Sequence, residues 1–376
     1  MENRKKKLLF IIWSYTYGGG AEALLTMIAN NLNPQKYDVS IIEYHHAEIK
    51  TEPVHDHIHV LPPIEAVPTP ENRSKTWQLY HSPDVLINTY IKKDYDLYIS
   101  FNYLIPTFLL PAGTKNISWI HGDVYDLAEE KVLRERKRQD VAFHKARKIV
   151  VISDNTERSV IDLFPDHADK VVKIYNGVDT DKVRRRSAEE TAIRLEGPSL
   201  LFVGRLDENK NPARLVRVLK LVHERGIRAH LYFMGKGDED QKVLARTEEE
   251  NLHGFVHLLG YQQNPFPVIR QCDVVCLLSR SEGFSVSLLE AVALDRPFIA
   301  PRIGGAVELS DHGSCGTIIE TDEEAAEAIC TLLKREKEEI AAACRKSIER
   351  FALSHYIGQI ETLFDSVMEE QDGAGK

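Results

Sequence analysis

Short apolar runs alternate with amphipathic segments of helical period along the whole chain, and this alternation narrows the possible folds more than any other feature. The runs are Leu8–Trp13, Val39–Ile42, Asp96–Ser100, Ile117–Ile120, Ile149–Ile152, Val171–Ile174, Leu200–Val203, His230–Met234, Val256–Leu259, Val274–Leu278 and Phe298–Ala300. Most are rich in Ile, Val, Leu and Phe without polar alternation, which marks strands covered on both faces of a parallel sheet. Between them, segments such as Ala21–Asn31, Pro212–Glu224 and Glu323–Lys334 carry apolar residues at helical spacing. Repetition of strand and helix implies right-handed crossovers and a doubly wound α/β fold.

The runs split six and five around a charged stretch, Asp179 to Glu196, which holds Arg184-Arg185-Arg186 and is closed by Gly197-Pro198. Open sheets seldom reach eleven strands, and 376 residues exceed one ordinary core, so two sheets in two domains are expected. The predicted boundaries are 1–176, 177–353, and a terminal helix at 354–376 that crosses back to the first domain. His45 to Pro83 carries Pro53, Pro62, Pro63, Pro68 and Pro70 and reads as a loop-rich insertion over the first domain.

The net charge of −9 argues against a general nucleic-acid binder. Cys272, Cys276, Cys315, Cys330 and Cys344 are scattered with no CxxC pair, which fits reduced thiols in a cytoplasmic protein. Arg4-Lys5-Lys6-Lys7 before Leu8–Trp13 has the look of a secretion signal, but the apolar run is short and no small-residue cleavage site follows, so a buried first strand fits better. No stretch approaches the ~20 apolar residues of a membrane span.

Glycines cluster where the runs end. Gly18-Gly19-Gly20 follows the first run and opens a helix at Ala21, an arrangement that lets a ligand approach backbone and favours an anion. A dinucleotide fingerprint would need a third spaced glycine, and Glu43 at the end of the second run makes the match partial. After Leu200–Val203 comes Gly204-Arg205-Leu206-Asp207-Glu208-Asn209-Lys210-Asn211-Pro212. Here Arg205 offers a planar fork and Lys210 a point charge, the chemistry of a diphosphate clamp. Gly235-Lys236-Gly237-Asp238, Gly260-Tyr261 and Gly304-Gly305 end later runs. Ser281 to Glu290 sets Glu282 and Glu290 eight residues apart across the start of a helix, where free amides bind phosphate and a carboxylate can grip sugar hydroxyls. The plain alternative is a surface helix with two solvated glutamates.

Taken in order, these features resemble the retaining glycosyltransferases of family 4. They are the glycine-rich first loop, Gly204-Arg205 with Lys210, Gly235-x-Gly237, Gly260-Tyr261, Glu282-Gly283-Phe284-(x)5-Glu290-Ala291, Pro297 and Gly304-Gly305. The resemblance covers nearly the whole chain and is densest from Val203 to Glu308. It implies the GT-B fold, two Rossmann-like α/β domains whose parallel sheets face across a cleft, with acceptor binding in the first and donor binding in the second. By the same resemblance, Arg205 and Lys210 bind the donor diphosphate, Glu290 holds ribose hydroxyls, and Glu282 faces the transferred sugar. Backbone at Phe284, Ser285 and Val286 meets sugar and phosphate, Tyr261 borders the base, and Gly19 and Gly20 reach the diphosphate from the other domain. His121, in Trp119-Ile120-His121-Gly122-Asp123, matches a histidine near the sugar. Ser285 departs from the pattern, since many members carry glycine there, though its side chain can cap the helix.

The implied activity is metal-independent transfer of a sugar from a nucleoside-diphosphate sugar, UDP before GDP, to a glycan, lipid-linked or small-molecule acceptor in bacterial polysaccharide or glycoconjugate synthesis. No cofactor is expected besides the donor co-substrate. Two other classes remain: a non-catalytic sugar-nucleotide-binding subunit, and a nicotinamide-dependent oxidoreductase, which the incomplete fingerprint disfavours. Asp179-Thr180-Asp181 spells a D-x-D metal motif. His55, His57 and His59 would share one face of a strand, with His45 and His46 nearby. A polar face fits these histidines better than zinc. Lys131, Arg134, Arg136, Lys137, Arg138, Lys145, Arg147 and Lys148 cluster on one predicted helix and its exit. That patch reads either as a platform for anionic lipid at the inner membrane face or as a solvated helix surface with internal ion pairs.

Overall fold

The computed structural model describes residues 4–16, 19–47, 53–65, 78–79, 82–91 and 94–370. Within the insertion expected at His45–Pro83, residues 48–52, 66–77 and 80–81 lie outside the described residues, as does Gly18 of the first glycine loop. The chain divides into two compact units, Met1–Ile174 with Tyr356–Lys376, and Tyr175–His355.

In the first unit the strands are β1 (Lys6–Ile12), β2 (Tyr37–Glu43), β3 (His59–Val60), β4 (Leu97–Phe101), β5 (Asn116–Ile120), β6 (Lys148–Val151) and β7 (Val171–Lys173). They pair in the order β3-β2-β1-β4-β5-β6-β7. In the second unit β8 (Ser199–Val203), β9 (His230–Met234), β10 (Val256–Gly260), β11 (Val274–Cys276), β12 (Phe298–Ala300) and β13 (Gly316–Ile318) pair as β10-β9-β8-β11-β12-β13. Every pairing among them is parallel. Central strands are buried along their whole length, as β4 and β5 show. Each of the eleven apolar runs became a strand. The two additions, β3 and β13, are short edge strands: β3 is exposed and β13 begins with glycine, so neither presents an apolar run.

Helices cover both sheets where apolar spacing demands it. Leu353–Glu369 buries Tyr356, Ile360, Leu363, Phe364 and Val367 on one face. Phe364 packs 6.1 Å from Phe10 and 6.4 Å from Tyr37, while Asp365 pairs with Lys36 and accepts a 3.0 Å hydrogen bond from the Tyr37 hydroxyl. The helix is thereby bound to β1 and β2 by both apolar and charged contacts. Among the described residues no helix is long and apolar enough to cross a membrane.

Both sheets reverse direction beside their first strand, at β1/β4 and at β8/β11. Loops leaving such neighbours diverge and open a crevice at the carboxyl ends, where α/β sheets bind ligands. The first unit presents Gly19 and Gly20 at that edge after β1, and the second presents the segments after β8 and β11.

One expectation changes. His55 and His57 precede the strand and only His59 lies in it, beside Asp38 at 3.3 Å, so the three histidines do not share a strand face. The intervening residues turn before β3 begins, which breaks the alternation that shared facing requires. Asp179 of the D-x-D triplet is the N-cap of helix Thr180–Ser187, its carboxylate accepting from the Lys182 amide at 2.8 Å. Capping explains an aspartate there by local helix chemistry alone.

Candidate active site

The segments after β8 and β11 are joined side by side through Asn209. Its Nδ2 donates to the Ser281 carbonyl at 3.0 Å, its Oδ1 accepts from the Ser281 amide at 3.2 Å, and its carbonyl accepts from the Arg280 amide at 2.8 Å. Asp207 folds the same loop by accepting from the Lys210 amide at 2.9 Å. The Lys210 ammonium is thus held 2.5 Å from Glu282 Oε1, with the two side chains 17% and 13% exposed. This low exposure sets the pair apart from ordinary surface ion pairs. Arg205 is not drawn to that pair; it bonds Asp207 at 3.0 Å and is 69% exposed.

Close packing of the loops explains the glycines. Gly235 has φ +150°, and a Cβ there would overlap the Gly204 carbonyl oxygen. A Cβ on Gly304 would overlap the Gly283 carbonyl, 2.9 Å from its carbon. Backbone therefore lines this edge at van der Waals distance, and any side chain at these positions would push the segments apart.

Helix Val286–Ala293 starts beside Glu282. Ser285, 3% exposed, is its N-cap, and its side chain accepts from the Leu288 amide at 3.4 Å, a cap that glycine could not supply. Phe284 is buried, 5.9 Å from Tyr175 and 5.6 Å from Phe351, which anchors the residue before the cap. Val286 opens the helix and Glu290 follows in its second turn, half-buried. Tyr261, after β10, is 67% exposed. Positive helix-end potential, a lysine and an arginine surround one strand edge, an arrangement suited to an anion with two phosphates.

The remaining named residues belong to the first unit. Gly19 is the N-cap of helix Gly20–Asn31 in extended conformation. Tyr15 and Thr16 are held by Glu43, which is 3% exposed. One Glu43 oxygen accepts from the Tyr15 amide at 2.7 Å, the Thr16 amide at 3.0 Å and the Thr16 hydroxyl at 3.0 Å; the other lies 2.5 Å from His46 Nδ1. Glu43 is committed to protein groups, contrary to the ribose-binding acid of a dinucleotide fold. The sequence offered Glu43 only as a partial match to that acid and gave no role to Asn209 or Asp207, whose partners are backbone groups of the folded loops.

His121 follows β5, its ring 4.1 Å from Phe101 and 5.9 Å from Trp119. Its Nε2 is shut off from solvent without a hydrogen-bond partner. Burial pushes its pKa down from 6.5 to about 3, so the imidazole is neutral at pH 7. Unfolded, it takes up a proton as pH falls through 6.5, whereas the folded protein refuses one until about 3. Stability should therefore fall by about 1.4 kcal/mol per pH unit on acidification across that window. His121→Phe, which suits the aromatic surroundings, is expected to flatten the acid limb of a urea-unfolding series by that slope. Parallel curves for parent and variant would show that the ring is solvated.

Residues 18–182 match the family model described as Glycosyltransferase Family 4, and residues 197–335 match that described as Glycosyl transferases group 1. The N-acetylgalactosamine-N,N'-diacetylbacillosaminyl-diphospho-undecaprenol 4-alpha-N-acetylgalactosaminyltransferase of Campylobacter jejuni is 30% identical over 183 residues, which are 48% of this chain and 49% of that protein. The match thus spans about half the length of that relative. The N-acetyl-alpha-D-glucosaminyl L-malate synthase of Bacillus anthracis is 26% identical over 273 residues, 70% of each chain. Among solved structures, Anabaena HepE in complex with UDP superposes with a TM-score of 0.75 at 19% identity, covering 96% of this chain and 100% of that one. The two family models together span residues 18–182 and 197–335, and HepE shares the fold: the chain belongs to the family 4 type of glycosyltransferases with the GT-B fold.

Proposed function

We propose that the protein transfers a sugar, with retention at the anomeric carbon and without a metal, from a UDP-sugar to a glycan, lipid-linked or small-molecule acceptor. The observation that carries this reading is the shielded Lys210–Glu282 pair at the β8/β11 switch point, next to the N-terminus of helix Val286–Ala293. A nucleoside diphosphate must leave as negative charge grows on its phosphates. An ammonium has three donors, so Lys210 can keep Glu282 and still meet a phosphate oxygen. Arg205 supplies a second cation and the helix amides a third source of positive potential. Each such contact contributes on the order of 2–4 kcal/mol to the transition state in a water-poor site. Glu282 acts by holding and aiming Lys210 beside the sugar, and Glu290 takes ribose hydroxyls.

UDP is favoured because the HepE structures, which share the fold, contain UDP and UDP-glucose. A lipid-linked acceptor draws support from the first unit. A cavity of about 360 Å³ there combines Pro83, Phe108 and Val141 with Arg134, Lys137 and Arg138. Apolar side chains beside cationic ones suit a lipid diphosphate at a membrane surface.

A thermal-shift screen of UDP-, GDP- and ADP-sugars tests the donor. A UDP-sugar at a hundredfold its Kd should add about 2.7 kcal/mol of stability. Transfer to an acceptor should persist in EDTA. Stabilisation by none of the three nucleotides would sink the donor reading.

A further inference from the structure

We propose that Asp140, His144 and His167 form a structural binding site for a divalent transition-metal ion of the zinc type, separate from the sugar-transfer site. One ligating atom from each residue lies within 4.8 Å of the others. Asp140 and His144 stand one turn apart on helix Leu133–Lys145, so their side chains leave the same face. His167 comes from the short helical segment Pro165–Lys170 and is 1% exposed. Its Nε2 lies 2.9 Å from Asp140 Oδ1, and its ring meets that of His144 edge-on at 4.5 Å.

Two imidazoles and one carboxylate are a donor set that zinc accepts, with water completing the sphere. Bonds of ~2.0–2.1 Å place tetrahedral ligand atoms roughly 3.3 Å apart. The Asp140–His167 separation needs only a small opening, and His144, exposed at the helix end, can rotate inward. Phe143 flanks the buried imidazole at 5.7 Å and restricts its rotation. Lys170 is a countervailing charge in the same region, and its ammonium donates to the Phe143 and His144 carbonyls at 3.1 and 3.3 Å.

Position in the fold separates this cluster from the transfer chemistry. Helix Leu133–Lys145 runs into the start of β6, and Pro165–Lys170 runs into the start of β7. Both connections lie at the amino edge of the sheet, whereas Gly19 and His121 follow strand carboxyl ends. A metal here would brace two connections of the first unit against each other, and binding energy would add to folding stability.

The test uses the full chain, stripped with chelator and free of any affinity tag. Cobalt(II) should bind with a single equivalent and give the visible d–d absorption of a low-coordinate nitrogen–oxygen site, and zinc should raise the Tm. His144→Ala removes an exposed ligand without disturbing packing, and it should weaken binding at least about tenfold, as should Asp140→Asn. Absence of both the cobalt spectrum and the zinc shift in the parent overturns the site. Binding undiminished in His144→Ala does the same, because the metal would then sit elsewhere.

Discussion

Lys210→Ala is expected to lower kcat by roughly 10²–10³-fold, the loss typical of removing one preorganised donor from a developing anion. The argument rests on shielding. With its side chain 17% exposed and fixed 2.5 Å from Glu282, the ammonium is already in place and has little to lose on reorganising. Deletion also leaves Glu282, 13% exposed, without its cation. An uncompensated carboxylate so poorly solvated should reduce stability by about 1–3 kcal/mol and repel the donor, raising KM. The loop itself should survive, because Asp207 caps the Lys210 backbone amide and Asn209 ties the segment to Ser281, neither through the lysine side chain. Combining Lys210→Ala with Glu282→Gln separates the roles. If Glu282 acts only through Lys210, the second change restores stability and costs no further turnover. If it touches the sugar, kcat falls again. Arg205, 69% exposed and paired with Asp207, makes a surface ion pair of small stabilising value. Arg205→Ala should therefore leave the Tm unchanged and reduce turnover. Turnover within threefold of the parent in both single variants would remove the diphosphate clamp from the mechanism.

Much of this architecture was legible in the sequence because parallel strands buried on both faces are written as continuous apolar runs. β9 and β12 coincide with their runs residue for residue, and the others differ at their ends. The unread strands are those to which that signal does not apply: β3 is a two-residue exposed edge, and β13 holds a glycine and a threonine. The glycines were legible as marks of close backbone approach, and the Gly235–Gly204 and Gly304–Gly283 contacts supply the physical reason. Pairing was not legible. Arg205 and Lys210 look equivalent in one loop, yet one turns to Asp207 and the other to Glu282, a residue 72 positions away. Sequence spacing carries no information on such a contact until the β8/β11 neighbourhood is known. The Asp140–His144–His167 cluster was hidden in the same way: an aspartate and a histidine one turn apart in a basic helix are unremarkable until His167 arrives from a separate segment.

Glu43 shows how a residue can look like one function and perform another, and its replacement should have the largest effect on the first unit. Glu43→Ala is expected to lower stability by about 3–5 kcal/mol, a large part of the 5–15 kcal/mol that holds a domain folded. The carboxylate is 3% exposed and accepts from two consecutive backbone amides, Tyr15 and Thr16, and from the Thr16 hydroxyl. Alanine leaves those three donors without their acceptor. The damage should also spread along the chain, because Tyr15 and Thr16 stand shortly before Gly19, the N-cap of helix Gly20–Asn31. Glu43→Gln is the discriminating control. Its amide oxygen can replace the oxygen that receives Tyr15 and Thr16, while its NH2 faces His46 Nδ1 in place of the other oxygen, now 2.5 Å away. If loop fixation is the role, glutamine should recover most of the stability and of the transfer rate, and alanine neither. If negative charge is the role, glutamine should fail as badly as alanine. Urea unfolding and turnover measured on both variants decide between them, and an alanine variant within 0.5 kcal/mol of the parent would mean that the loop holds its shape without the carboxylate.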